Sequence, residues 1–206
     1  MTRFFIRAGG LIFFLFISII LTAQPAGKKT FDIRDYGAMG DGLTDDAPAI
    51  QKAIDDCAAN GGGRVVLDKG TFMSSGIHFK SNVELHLTVS AQLIGSLEVD
   101  KYSRDEKFAF KHIIRSLIYA ADCENIAITG AGKIDGRGDL IKVANDNDRP
   151  DLIVLHGCKD VRIQDVFITN SKMFAVFILQ CQRVRIDGVE LENLKNANND
   201  GFDIDG

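Results

Sequence analysis

A short alternation of apolar and polar residues, headed by cysteine, recurs along this chain and restricts its fold more than any other feature. Cys123-Glu124-Asn125-Ile126-Ala127-Ile128 returns as Cys158-Lys159-Asp160-Val161-Arg162-Ile163 and again as Cys181-Gln182-Arg183-Val184-Arg185-Ile186, with a looser relative in Asn82-Val83-Glu84-Leu85-His86-Leu87. Alternation with period two is the pattern of a strand with one buried face. The last two copies start 23 residues apart, the previous pair 35, and Asn82 lies 43 before Asn125. The longest interval fits two short turns or one turn with an insertion. A unit of this size cannot bury its apolar face alone, so it must stack on its neighbours as a solenoid. The strand character predicts a β-solenoid in which Val, Ile and Leu stack inward while Glu84, Arg162 and Arg185 face solvent. An open sandwich also alternates, but it has no reason to repeat one cysteine-led hexad.

Three of the four cysteines occupy equivalent repeat positions, which predicts small, free, buried thiols stacked along one edge. Neither a CxxC pair nor clustered histidines suggest a metal: His78, His86, His112 and His156 are scattered. No cofactor is expected. The formal charge of −4 and the lack of a basic run argue against nucleic acid as a partner. At the start, Arg3 and Arg7 precede an apolar run from Leu11 to Leu21 that ends in Thr22-Ala23. That pattern predicts a signal peptide over residues 1–23, a β-helix domain over 24–206, a secreted or periplasmic location and no stable membrane association after cleavage. An 11-residue apolar core is short of the roughly 20 that span a bilayer.

From Phe31 to Phe72 the sequence passes from a Gly40-Asp41-Gly42 turn through Thr44 or Asp45, either able to cap a helix with an acidic first turn, to Ile50, Ala53, Ile54, Cys57 and Ala58 on one helical face. Asn60-Gly61-Gly62-Gly63 ends the helix, and Val65-Val66-Leu67 begins a strand. A short amphipathic helix ahead of a solenoid covers the open apolar end of the first coil. Capping and a solvated helix face account for the pairs Asp45-Asp46 and Asp55-Asp56. This block resembles the opening of the pectate-lyase-like right-handed β-helix superfamily. The resemblance implies fold rather than chemistry.

Later stretches narrow it. GAGKIDGRG at 130–138, Arg149-Pro150 before the Cys158 repeat, Thr169-Asn170-Ser171, and Asn198-Asn199-Asp200-Gly201-Phe202-Asp203 stand in the order of the motifs of polygalacturonase-type glycoside hydrolases of family 28, which the chain resembles over nearly all of residues 24–206. Without the family, the glycines at 130–138 read as tight turns, since they lack dinucleotide and P-loop spacing. Asp200 alone reads equally as an Asx turn before a strand.

The resemblance implies an all-β, right-handed parallel β-helix with a short N-terminal capping helix, truncated on its C-terminal side. It implies a hydrolase that cleaves pectin-type, uronate-rich polysaccharide with inversion, acting as a monomer, with Asp200 catalytic and Asn198 and Asp203 contacting substrate. The family's other catalytic carboxylates form an Asp-Asp pair about one turn beyond Asp200, whereas this sequence holds six further residues, so the 206-residue chain is expected to be inactive and poorly stable. Strand parity directs Phe202 and Ile204 inward and Asp203 and Asp205 outward, and a turn at Gly201 can bring Asp200 out as well. Arg149, Asn170 and Lys172 become groove residues if they share its face. Asn199 stands where the family has Thr, and Lys172-Met173-Phe174 where it has Pro-x-Trp. A lyase or epimerase on the same fold, with Asn145-Asp146-Asn147-Asp148 as a calcium loop, and a non-catalytic carbohydrate-binding β-helix are the alternatives.

Overall fold

The computed structural model describes residues 28–105, 114–193 and 200–206, so the proposed signal segment 1–23 and Asn198 lie outside the described residues. The chain winds in coils that build three parallel sheets, the first coil giving strands to two of them and each later coil one strand to all three. The first strands, β1 (Thr30–Asp32) and β2 (Asp41–Asp45), precede helix α1 (Ala47–Ala59). The next coil is β3 (Gly63–Leu67), β4 (Gly70–Ser74) and β5 (Ile77–His78). A third comprises β6 (Val83–Leu87) and β7 (Ala91–Gly95), then an insertion ending in β8 (Ser103–Asp105), which pairs antiparallel with β9 (Ile114–Ala121). Three more follow: β10 (Glu124–Thr129), β11 (Lys133–Asp135) and β12 (Asp151–His156); β13 (Lys159–Gln164), β14 (Phe167–Thr169) and β15 (Val176–Leu179); β16 (Gln182–Asp187), β17 (Glu190–Glu192) and β18 (Phe202–Asp205).

The repeated hexads are β10, β13 and β16, hydrogen-bonded in register as the alternation requires. Val65, Leu85, Ile128, Ile163 and Ile186 form one inward column of this first sheet, and the first four are buried. Each such side chain contributes about 1.5–3 kcal/mol when fully buried. The 43-residue interval is one coil with an insertion, and the 35-residue interval is lengthened by the connection from β11 to β12.

At each entry to the first sheet the chain takes a left-handed conformation. Gly62, Asn82, Asn125, Asp160 and Arg183 stack there with φ of 96, 66, 54, 54 and 54°. Asn is the residue after Gly that tolerates this region best, and Asn125 Nδ2 donates to Asn82 Oδ1 at 3.0 Å. Just ahead of this column, the thiols of Cys123, Cys158 and Cys181 each donate to a carbonyl one coil back, those of Phe79, Ala120 and Leu155 at 3.5, 3.5 and 3.4 Å. All four cysteines are free.

Helix α1 covers the first coils with Ile50, Ala53, Ile54 and Cys57, all buried. Its N-terminus differs from expectation. Asp46 is the cap residue and its side chain makes no cap bond, the first turn carries no acid, and the expected Asp45 accepts from the Ala47 N–H at 3.1 Å through Oδ1. The Asp46 carboxylate instead accepts from the N–H groups of Met39 and Gly40 at 2.6 and 3.0 Å, holding the preceding turn. Glu84 is a second correction. It does point away from the core, but it is 3% exposed because Lys28, Arg64 and Arg162 close over it at 2.7, 3.0 and 3.7 Å. Arg162 and Arg185 are exposed as expected, at 40% and 75%.

Candidate active site

The third sheet, in the order β5, β9, β12, β15 and β18, carries Asp203 on its outer face. Inward residues are Ile153 and Leu155 on β12 and Val176 and Ile178 on β15. Phe202 and Ile204 register with Val176 and Ile178 and so continue the inward columns. They are nevertheless 39% and 69% exposed, since among the described residues β18 is the last strand of this sheet. The alternate positions form an outer row in which Tyr119 pairs with Val154, Val154 with Phe177, and Phe177 with Asp203. His78 meets Tyr119 edge-on at 5.5 Å between ring centres, so the row is aromatic and apolar until it reaches the Asp203 carboxylate. A parallel row runs from Ala121 through His156 and Leu179 to Asp205.

Asp200 lies just before β18, exposed to solvent, with its carbonyl accepting from Ala175 N–H at 3.0 Å. The adjoining Gly201 carbonyl accepts from Val176 N–H at 2.9 Å. Gly201 bends the chain but stays out of the left-handed region, contrary to a simple turn reading. A Cβ there would stand 3.2 Å from Leu191 Cδ2, a tight contact that a small shift of the leucine tip would relieve. Register places Asp200 one coil beyond Phe174, whose ring packs against Phe177 with centres 5.5 Å apart.

Beneath Phe174 is a residue that motif reading missed. Asp151 is 2% exposed at the start of β12, and its Oδ1 accepts from Phe174 N–H at 3.0 Å. Burial pushes its carboxyl up to about 7, opposed by the Phe174 N–H and by Arg149 and reinforced by the Asp203 charge. Its signal was parity: Asp151 takes a position that Ile153 and Leu155 make aliphatic further along the strand.

The connections from the second sheet to the third stack beside this face. Asn170 is used structurally. Its amide donates to Asp139 Oδ1 at 2.6 Å and Asp135 Oδ1 at 3.3 Å, and its Oδ1 accepts from Asp139 N–H at 3.1 Å. The glycines at 130–138 permit close approach of coils. A Cβ on Gly138 would stand 2.4 Å from the Ser171 carbonyl oxygen, and one on Gly130 2.0 Å from that of Leu87. Arg149 and Lys172 do meet, across a cleft of about 610 Å³ that Asp139, Ile141, Lys142, Val143 and Asp146 complete. In the Asn145–Asp148 run Asp146 holds Arg149, whose Nε donates to the Asp146 carbonyl at 3.0 Å, and Asn145 donates to Asp148 at 3.3 Å. Among the described residues no group of three or more His, Cys, Asp or Glu side chains could hold a metal ion, and no helix is long and apolar enough to cross a membrane.

The model of the family "Glycosyl hydrolases family 28" matches residues 57–206. The chain is 29% identical over 194 residues to a probable polygalacturonase of Arabidopsis thaliana, covering 93% of this chain and 41% of that protein. It is 28% identical over 241 residues to the exo-poly-alpha-D-galacturonosidase of Dickeya chrysanthemi, covering 90% and 40%. Among solved structures, the family 28 exopolygalacturonase of Yersinia enterocolitica superposes with a TM-score of 0.75 at 26% identity, covering 86% of this chain and 41% of that one. The fold is that of the right-handed parallel β-helix, and the chain spans about two-fifths of the length of these relatives.

Proposed function

The chain belongs to glycosyl hydrolase family 28, and from that premise we propose that the protein hydrolyses glycosidic bonds in a pectin-type, uronate-rich polysaccharide, with Asp200 as one catalytic carboxylate. The observation that carries the reading is the exposed carboxylate of Asp200 at the head of β18, next to the Phe174–Phe177 pair and beside an outer row that ends in Asp203. Aromatic faces suit the apolar face of a pyranose ring, and carboxylates accept from its hydroxyls. Asp203 takes this second part, and Asn198, which lies outside the described residues, is assigned the same role from the motif it shares with Asp200.

Cleavage needs one carboxylic acid to protonate the leaving oxygen and one carboxylate to activate water. Asp200 activates the water. With inversion, the acid stands about 6.5–9.5 Å away. Neighbouring strands lie about 4.8 Å apart and residues about 3.3 Å apart along a strand, so an acid one coil beyond Asp200 and two residues further along, at about 8 Å, meets that separation. Asp203 and Asp205 belong to the same coil as Asp200. We therefore place the acid outside these 206 residues and expect the chain alone to be inactive. The leader over residues 1–23 supports export from the cytoplasm, after which the protein acts as a monomer; fractionation and sedimentation test these two points.

The test is to express the longest reading frame that contains this sequence and assay it on homogalacturonan, following the anomer released by NMR. Saturated products of inverted configuration support the reading. Unsaturated products would identify a lyase instead, and binding without cleavage would identify a non-catalytic module. Hydrolysis by the 206-residue chain itself would sink the placement of the acid.

A further inference from the structure

We propose that the cleft between the β11–β12 and β14–β15 connections is a carboxylate-reading subsite, in which Lys142 and Lys172 engage the acid groups of sugar units on the N-terminal side of Asp200. The proposal rests on the assignment of Asp200 to catalysis and adds what that assignment lacks, a means of recognising a charged polymer.

Position comes first. Residues 139–149, Lys172 and Asp200 all lie where the chain passes from the second sheet to the third, on three successive coils. With strands about 4.8 Å apart, Lys172 is one coil from Asp200 and Lys142 two, about 5 and 10 Å along the axis. A linear polymer lying along the outer face passes the two lysines in turn.

Charge is the second observation. The cleft holds Lys142, Arg149 and Lys172 against Asp139 and Asp146. Both acids are engaged: Asp146 with Arg149 at 3.8 Å, and Asp139 with the Asn170 amide at 2.6 Å. Neither Lys142 nor Lys172 meets a carboxylate among the described residues, whereas Lys28, Lys101, Lys133 and Lys159 are each ion-paired, at 2.7, 3.0, 2.8 and 3.2 Å. With three cations against two carboxylates the concavity carries one positive charge on balance, on a chain of net charge −4, and so forms a local attractor for an anion that the overall charge repels. Ile141 and Val143 supply an apolar wall for ring carbons, and about 610 Å³ lies within the range of small-ligand sites. Lys172 also stands where the family resemblance puts a proline, so this chain has a cation in place of a rigid turn.

The experiment is a calorimetric titration of trigalacturonate, and separately of its methyl ester, into the protein expressed from the longest reading frame that contains this sequence, made inactive by Asp200→Asn so that no turnover occurs. The variants are Lys142→Gln/Lys172→Gln and the charge-retaining Lys142→Arg/Lys172→Arg. The acid trimer is expected to bind the Gln pair at least 10-fold more weakly than the parent, the Arg pair within about 3-fold of it, and the ester equally in all three. Equal binding of the acid trimer to parent and Gln pair, loss of acid and ester alike, or no binding to the parent overturns the proposal. Because binding is read without turnover, failure of the hydrolysis assay above is a separate result that bears on Asp200 alone.

Discussion

Two carboxylates in this molecule are buried to almost the same degree and behave in opposite ways. Glu84, on the outside of the first sheet, is 3% exposed, and Asp151, at the start of the third, is 2% exposed. Glu84 gathers Lys28, Arg64 and Thr129 at 2.7, 3.0 and 2.7 Å, and these partners outweigh its burial and draw its carboxyl down to about 2. Asp151 has one backbone N–H and a more distant arginine, so burial prevails and its carboxyl rises to about 7. Burial alone therefore does not set the charge of a group; the donors brought to it do. The two faces divide accordingly. The first sheet satisfies its charges internally and clasps the N-terminal segment through Lys28, while the third carries an aromatic row and a poorly compensated acid beside a cleft whose two lysines meet no carboxylate among the described residues.

The largest effect that would break this division concerns Asp200. In the protein active on homogalacturonan, Asp200→Asn is expected to lower kcat by about 10²–10⁴-fold while its melting temperature barely moves, because the side chain is exposed. A comparable loss of stability would mean that this face serves the fold, as the first sheet does. On that first sheet, Glu84→Gln leaves Lys28, Arg64 and Arg162 facing one another, at an expected cost of about 3 kcal/mol measured by urea unfolding at pH 7. The folded carboxyl is depressed from 4.5 to about 2. The stabilisation is thus complete above about pH 4.5 and disappears as pH falls toward 2, so parent and variant should converge in that window.

Asp151→Asn sharpens the comparison in the other direction. An amide oxygen still accepts from Phe174 N–H, but no charge is buried. Between the ordinary 3.8 and about 7 the folded parent retains a proton that the unfolded chain has released, so its stability falls as pH rises through that interval. The variant should match the parent near pH 4 and exceed it by up to about 4 kcal/mol at pH 8, read from paired unfolding curves. A constant difference across pH would show that Asp151 is never the proton carrier.

Much of this was legible in the chain because the repeat carries it. Period two fixed the inward columns and the parity of Asp203 and Asp205 on β18, and the helical period fixed the buried face of α1. What escaped depends on residues that only coiling brings together. Lys28 covers Glu84 across 56 positions, so local alternation placed Glu84 outward and could not show that it would be covered. Lys142 and Lys172 are 30 residues apart and share a cleft because two connections stack. Asp151 left a trace, an acid at an aliphatic position, but its strength as a signal depends on the packing above it.

The smallest effect tests whether the stacked left-handed corner does more than admit the chain to the next coil. Asn125 holds φ of 54° and donates to Asn82 at 3.0 Å. Asn125→Gly keeps the backbone conformation and removes the amide, whereas Asn125→Ala removes the amide and adds the left-handed penalty of a Cβ without a compensating side-chain bond. Asn125→Ala is expected to cost about 1–2 kcal/mol, and Asn125→Gly about 0.5–1, in the range of one exposed hydrogen bond. If the two variants lose equal stability, the amide bond between coils carries the whole contribution. If Asn125→Gly loses nothing, backbone conformation alone selects asparagine here, and the side-chain contact to Asn82 is a consequence of the stacking rather than one of its causes.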